Sequence, residues 1–475
     1  MKTFFFYDLE TSGFSPQNDR IMQFAGQRTD ENLNRIGEPV NVLVRLNDDV
    51  LPSPSALMVT KISPQKTVEE GYTEAEFSKM LVEEYFTPDT IIIGYNNVRF
   101  DDVHIQHLLW RNFYPPYDWQ WKDGRSRWDL LDVVRMIRAL RPEGINWPFV
   151  VNEETGEKFA ANKLELLTKE NGISHENAHD ALADVTALIA VTKLIKQKQP
   201  QLYDYLLKMR DKKLVQQLVN VDDKKPFVYA SGRYDKEFAK TTVAFPLTTS
   251  RNGGIFVYDL RYDPTPFVGL SQEELAKKIF ASWEERQAED FVKLPVKELQ
   301  YNRCPVVAPL GVLEQGDGWQ KISLDLETVQ KHQNMLLSHP DFAEKLRSIV
   351  ENKPAFKKLP DPEAQLYDGF LHDRDRLRVE AVRNADEREL ADFHPEFQDE
   401  RLAPLLLHYK ARNFPRSLSE DDLTQWEAWR ARHLQAQLPQ FMASLQRLAS
   451  TATDEQQFIL QELQLWAEAI VPTEE

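Results

Sequence analysis

Residues Thr3 to Gly13 read "TFFFYDLETSG". An apolar run of this kind is normally spent on a buried strand, yet it ends on two carboxylates, Asp8 and Glu10. Side chains two apart in a strand point to the same side, so both acids face one spot. Like charges buried close together are costly unless a cation neutralises them. Taken alone, the stretch also fits a strand running into a Thr-Ser-Gly turn with two solvated acids. The remainder of the chain has to choose between these readings.

Two more acidic motifs lie in the first 200 residues. "TIIIGYNNVRFDD" (Thr90 to Asp102) predicts a buried strand, a polar turn, then Asp101 and Asp102 opening a helix. Acids also suit a helix start for structural reasons alone. "NAHDALADVTALIAVTKLIK" (Asn177 to Lys196) puts His179 and Asp184 at the start of a long helix. Five helical residues turn the chain by about 500°, which would leave these side chains roughly 140° apart. They converge only if His179 precedes the helix, with Asp180 as its cap.

In order and spacing, D-x-E, then F-D after a strand and turn, then H-x4-D resembles the DEDD superfamily of 3′→5′ exonucleases. Asp8, Glu10, Asp101 and Asp184 match its four acids. One branch carries tyrosine four residues before the last acid, where this chain has Asp180; the other carries histidine five before, here His179. The chain therefore resembles the histidine branch. Ser12 stands where many relatives have a second threonine, and no ligand is lost by it. Closer still, "GYNNVRFDD", "SRWDLLDV", "LRPEGINWP" and "NAHDALADV" are similar to the bacterial exonuclease I family.

That resemblance implies an α/β ribonuclease H-like exonuclease domain, an SH3-like α+β domain and an all-α C-terminal domain. The boundaries it suggests are 1–200, 201–352 and 353–475. It implies processive 3′→5′ removal of 5′-mononucleotides from single-stranded DNA in repair or recombination. It also implies two Mg²⁺ ions, with Mn²⁺ able to substitute, on Asp8, Glu10, Asp101 and Asp184. Two divalent cations about 3.5–4 Å apart can activate water and stabilise the leaving oxygen, and hard oxygen ligands suit Mg²⁺. His179 would accept the proton of the attacking water.

The bulk sequence agrees with three parts. Its 475 residues are enough for about three domains. Strand-like runs and helical periods mix in the first third, including helices near 73–85, 101–111, 129–140, 162–170 and 180–198. The middle third holds short strand-like pieces, "PFVYASGRY", "TTVAFPL", "GIFVYDL" and "CPVVAP", with helices near 271–288 and 324–350. Beyond the Pro- and charge-rich "ENKPAFKKLPDPEAQ" the pattern is almost wholly helical. Cys304 is the only cysteine, which excludes an internal disulfide and a cysteine-built metal cluster. No run of 18 apolar residues is present, so no membrane association is expected. The first residues are too short for a signal peptide, and a cytoplasmic monomer is the expectation. The net charge of −17 weighs against a polyanionic partner. A focused basic channel can nevertheless hold one, and the middle third is close to neutral.

Single-strand binding without sequence preference combines stacking with phosphate contacts. Candidates for the strand are Tyr117, Trp121 and Arg135, with Glu10 in the site itself. Lys163 at a helix start, Asn177, Lys212, Tyr367 and Phe370 complete the set, and "HYKARNFPR" (His408 to Arg416) is a weaker one. The resemblance also implies a partner, the single-stranded-DNA-binding protein, whose acidic tail needs a basic notch with an apolar floor. Arg141 and Tyr205 match positions suited to it, whereas "EQGDGW" in 314–319 reads as acidic. An exoribonuclease of the same superfamily and a non-catalytic binding scaffold are the alternatives. Finally, residues 1–198 carry their own strands, helices and all five catalytic groups, so they are expected to fold alone.

Overall fold

A computed structural model describes residues 2–153, 155–175, 180–353 and 358–472. Phe4, Phe5, Phe6 and Tyr7 are each no more than 3% exposed. Such a run has no polar face because its strand, β1 (Thr3–Thr11), is covered on both sides. Strand β2 (Ile21–Thr29) pairs with it antiparallel and β4 (Thr90–Gly94) parallel. With β3 (Arg35–Leu43) and β5 (Ser126–Asp129) the sheet order is β3-β2-β1-β4-β5. The parallel pair β1 and β4 ends at one edge of the sheet, the usual place for a site in an α/β sheet. Helix α1 (Asp101–Arg111) follows β4 through a short 3-10 turn, Asn97–Arg99. Helix α2 (Ala181–Lys198) carries the last acid.

The molecule divides into two compact units that cut across sequence order. One joins Met1–Ser126, His175–Ile189 and Lys357–Glu475; the other joins Arg127–Ser174 and Ala190–Phe356. Within the first, the C-terminal helices are part of the core. Met22, Leu46 and Leu57 pack with Leu434, Phe441, Leu463 and Trp466. Trp110 and Phe113 pack with Leu366, Leu405 and Tyr409.

Beside these cores lies a buried ion network. Arg20 donates to Glu363 (2.9 Å) and Arg111 to Glu74 (2.5 Å). Arg412 donates to Asp49 (2.6 Å) and to Glu363. Burial alone would raise the Glu363 carboxyl, but Arg412 and Arg20 more than offset that and hold it well below the usual range. These contacts argue against the expectation that residues 1–198 fold alone. Cutting there would strip a core and take Glu363 from Arg20 and Arg412 from Asp49, a cost of several kcal/mol.

The second unit holds an antiparallel sheet. Its strands run in the order Val296–Leu299, Ile255–Asp259, Thr241–Thr249, Phe227–Ala230, Val306–Pro309. The first of these, "VKEL", escapes sequence reading because two of its four residues are charged. The helix expected over 271–288 ends at Phe280. The one expected over 324–350 is two, Leu326–Ser338 and Pro340–Glu351. Pro340 explains the break, since it lacks an N–H and pushes the preceding residue out of helical geometry. No helix among the described residues is long and apolar enough to cross a membrane.

Candidate active site

Alternation along β1 sets Asp8 and Glu10 on one side of the sheet, and the strand breaks register just after Glu10. Such a bulge re-aims the chain beside a site. The turn that follows is braced by Ser12, whose hydroxyl accepts from the Arg20 amide (2.9 Å) and donates to Asp19 (3.1 Å). Serine therefore does here what a threonine hydroxyl would do. A Cβ on Gly13 would lie 2.4 Å from the Asp19 carboxylate, so any larger residue there would displace the group that braces the turn.

Asp101 is the first residue of α1 and is buried. Its neighbour Asp102 faces away into the core, where it accepts from the Tyr7 hydroxyl (2.5 Å) and the Asn97 amide (3.1 Å). Burial, followed by Asp102 and Asp101, pushes the Tyr7 phenol far up. It remains a donor at any ordinary pH. The pair ties β1 to the start of α1, so two of the acidic motifs are fixed to each other. On α2, Asp180 caps the helix as expected, accepting from the amides of Leu182 and Ala183 (3.1 Å each). Asp184 is the fourth helical residue.

Carboxylate oxygens of Asp8, Glu10 and Asp184 all lie within 4.8 Å of one another. Glu10, 9% exposed, is pushed up to about 9 by burial, then by Asp8, Asp184 and Asp180. Asp8 is raised well above the usual range by burial, then by Asp101, Asp184 and Asp180. Asp101 thus belongs to the same electrostatic cluster. Without a counter-charge such acids hold protons. An all-oxygen, strongly negative donor set fits a hard divalent cation, which would take the place of those protons.

A second group, Asp361, Glu363 and His408, has metal-like spacing. It is not a cation seat, because Glu363 already faces the guanidinium groups of Arg20 and Arg412.

Sequence reasoning passed over His175. Its side chain is 4% exposed and its Nε2 lies 2.5 Å from Asp184 Oδ1. The only available signal was a second histidine four residues before His179. His179 and Asn177 lie outside the described residues.

Among the stacking candidates in the first unit, Tyr117, Trp121 and Phe370 line one cleft of about 610 Å³. Arg376 and Arg383 line it too. Trp121 is 64% and Phe370 93% exposed, so neither is a core residue. Tyr367 stands nearby with its hydroxyl donating to Gln106 (2.9 Å). The segment His408 to Arg416 is corrected in part: the side chains of His408, Lys410 and Arg412 are buried against internal carboxylates and so are not offered to a strand, whereas Arg416 is exposed.

In the second unit, Lys163 and Lys212 are exposed at helix starts. The Arg135 guanidinium pairs with Asp132 and lies over Gly232, where a Cβ would come 2.8 Å from Nη1. Arg141 donates to the Val312 carbonyl (3.0 Å), and Gly316 sits between its guanidinium and Lys321. Lys321 thus supplies a second cation in a region that reads as acidic. Tyr205 is half-buried against the core of this unit.

Family models match three successive segments. They are described as Exonuclease over residues 5–192, Exonuclease I SH3-like domain over 210–352 and Exonuclease I C-terminal domain over 360–470. The Exodeoxyribonuclease I of Haemophilus influenzae is 37% identical over 455 residues, 95% of each chain. The crystal structure of E. coli Exonuclease I in complex with a dA16 oligonucleotide superposes with a TM-score of 0.94 at 37% identity, covering 99% of this chain and 100% of that one. The zinc-bound E. coli ExoI–ssDNA complex gives 0.93 at 37% identity, covering 99% of each. With this agreement over nearly its whole length, added to the clustered acids at the end of β1, the chain belongs to the exonuclease I family.

Proposed function

We propose that the chain is a 3′→5′ exonuclease that processively releases 5′-mononucleotides from single-stranded DNA, by phosphodiester hydrolysis dependent on two Mg²⁺ ions. One observation carries the reading: carboxylate oxygens of Asp8, Glu10 and Asp184 converge within 4.8 Å of one another. A non-catalytic scaffold has no physical reason to keep so costly a cluster. Bound divalent cations would supply charge relief on the transition state and a nucleophile at neutral pH.

The protein groups do the rest. Asp8 and Glu10 are held rigidly by β1, and Asp184 by α2. Asp101 is fixed through the Tyr7–Asp102 staple. His179, five residues before Asp184 in sequence, takes the proton from the attacking water. Tyr117, Trp121 and Phe370 offer faces on which successive bases stack, with Tyr367 beside them. Each stacked base is worth roughly 1–3 kcal/mol. Lys163, Arg135 and Lys212 would meet phosphates. Arg141, with Lys321 and the apolar side of Tyr205, suits the acidic tail of a single-stranded-DNA-binding protein. A monomeric, cytoplasmic enzyme of DNA repair fits these properties.

The test uses 5′-end-labelled single-stranded DNA, duplex DNA and RNA, each with Mg²⁺ or EDTA. Progressive shortening of single-stranded DNA with Mg²⁺ alone is expected. Equal or faster shortening of RNA would make the chain an exoribonuclease, and no shortening with any divalent cation would leave a binding scaffold.

A further inference from the structure

His175 stands outside every role assigned above, yet it touches the acidic seat directly. Its imidazole is buried, and Nε2 lies 2.5 Å from Asp184 Oδ1 across nine residues of chain. The helix fixes only the backbone of Asp184, whose amide donates to the Asp180 carbonyl (3.0 Å). Rotation of its side chain is a separate matter. Asp8 and Glu10 repel the Asp184 carboxylate, and part of its surface remains open to solvent. The hydrogen bond to His175 opposes an outward turn of that carboxylate.

We propose that His175 is a positioning residue for the metal seat: its Nε2–H donates to Oδ1 of Asp184 and holds that carboxylate turned toward Asp8 and Glu10. The inference rests on the reading of the site as a divalent-cation nuclease. An imidazole is suited to the task, since its ring N–H is a directional donor on a flat, buried side chain. Ligating carboxylates are commonly held in this way by a hydrogen bond from behind. Since Nε2 is committed to Asp184, it is not the atom that accepts a proton from water. The role is therefore distinct from the one given to His179.

The experiment measures Mn²⁺ binding to the full-length protein without DNA, by electron paramagnetic resonance of the free ion. It compares wild type, His175→Ala, His175→Gln and Asp184→Asn. Loss of the positioning bond should weaken Mn²⁺ binding by about 10–100-fold in His175→Ala. His175→Gln, which keeps an N–H donor on a chain of similar reach, should recover most of it. Binding of single-stranded DNA in EDTA should match wild type in both histidine variants. Wild-type Mn²⁺ affinity in His175→Ala, or an equal loss in the alanine and glutamine variants, overturns the proposal. If His175→Ala does not fold, the glutamine variant decides alone, since its expected affinity is near wild type. Should wild type and Asp184→Asn bind Mn²⁺ equally, the reading of the seat itself fails, and the proposal with it.

Discussion

At the scale of single residues, the mutual repulsion of the acids ending β1 is what makes their proposed role testable. Asp8→Asn or Asp184→Asn should abolish exonuclease activity while leaving the fold intact, because an amide cannot balance cation charge and the metal-free seat is relieved by losing a like charge. Turnover above about a tenth of wild type in either variant would contradict the cation seat. Protonation gives a second handle. Glu10 is pushed from an ordinary 4.5 up to about 9, so the folded protein keeps a proton that the unfolded chain has released. Metal-free stability must therefore fall as pH rises through that interval, with Asp8 acting in the same direction. A cation replaces the proton, so the rise in Tm on adding Mg²⁺ should grow from pH 5 to pH 9. Differential scanning fluorimetry in EDTA and in Mg²⁺ measures it. Glu10→Gln should flatten the trend, and a Mg²⁺ effect independent of pH would argue against protons sharing the seat.

At the scale of elements, the site depends on how strands and helices are tied together rather than on any single one. β1 contributes two acids, and the start of α1 is tied to it by the Tyr7 hydroxyl, which donates to Asp102 alongside Asn97 from the preceding turn. Tyr7→Phe removes one donor and leaves a buried carboxylate short of a partner. The expected cost is about 1–3 kcal/mol in urea unfolding. Because Asp101 is the preceding residue on α1, turnover should drop by roughly tenfold as well, in line with the loss of an outer-shell partner. A stability loss with unchanged turnover would show that Asp101 is placed by other contacts. The same paragraph of chain shows what local patterning can reveal. The strand Thr90–Gly94, the turn and α1 all lie where "TIIIGYNNVRFDD" puts them. By contrast, the hairpin Phe149–Val151 with Lys158–Ala160 is too short to carry a period.

At the scale of the whole molecule, the C-terminal segment is structural before it is anything else. Leu434, Phe441, Leu463 and Trp466 complete the core over β2, and Glu363 and Arg412 complete the charge balance of Arg20 and Asp49. A chain ending near residue 198 should be insoluble or lack a cooperative unfolding transition, as read by circular dichroism. In the full chain, Glu363→Ala should cost about 3–5 kcal/mol, since it takes a carboxylate from two buried guanidinium groups, Arg20 and Arg412. A truncated protein that melts cooperatively would show that the exonuclease segment is autonomous after all.

The sequence by itself determined the strand and helix that carry each acid, the four-acid pattern, the cap at Asp180 and the helical character of the last hundred residues. These are local properties: side-chain period, capping chemistry and turn residues act over a few positions, so neighbours in sequence suffice to read them. Only the tertiary structure decided that His175 lies against Asp184, that Tyr7 holds Asp102, and that His408, Lys410 and Arg412 are internal rather than offered to a strand. It alone placed Lys321 beside Arg141 and joined the two ends of the chain into one unit. Each of those is a pairing of groups that no local pattern relates. Burial and charge balance there are set by packing in three dimensions, and no periodicity in the sequence encodes the partner.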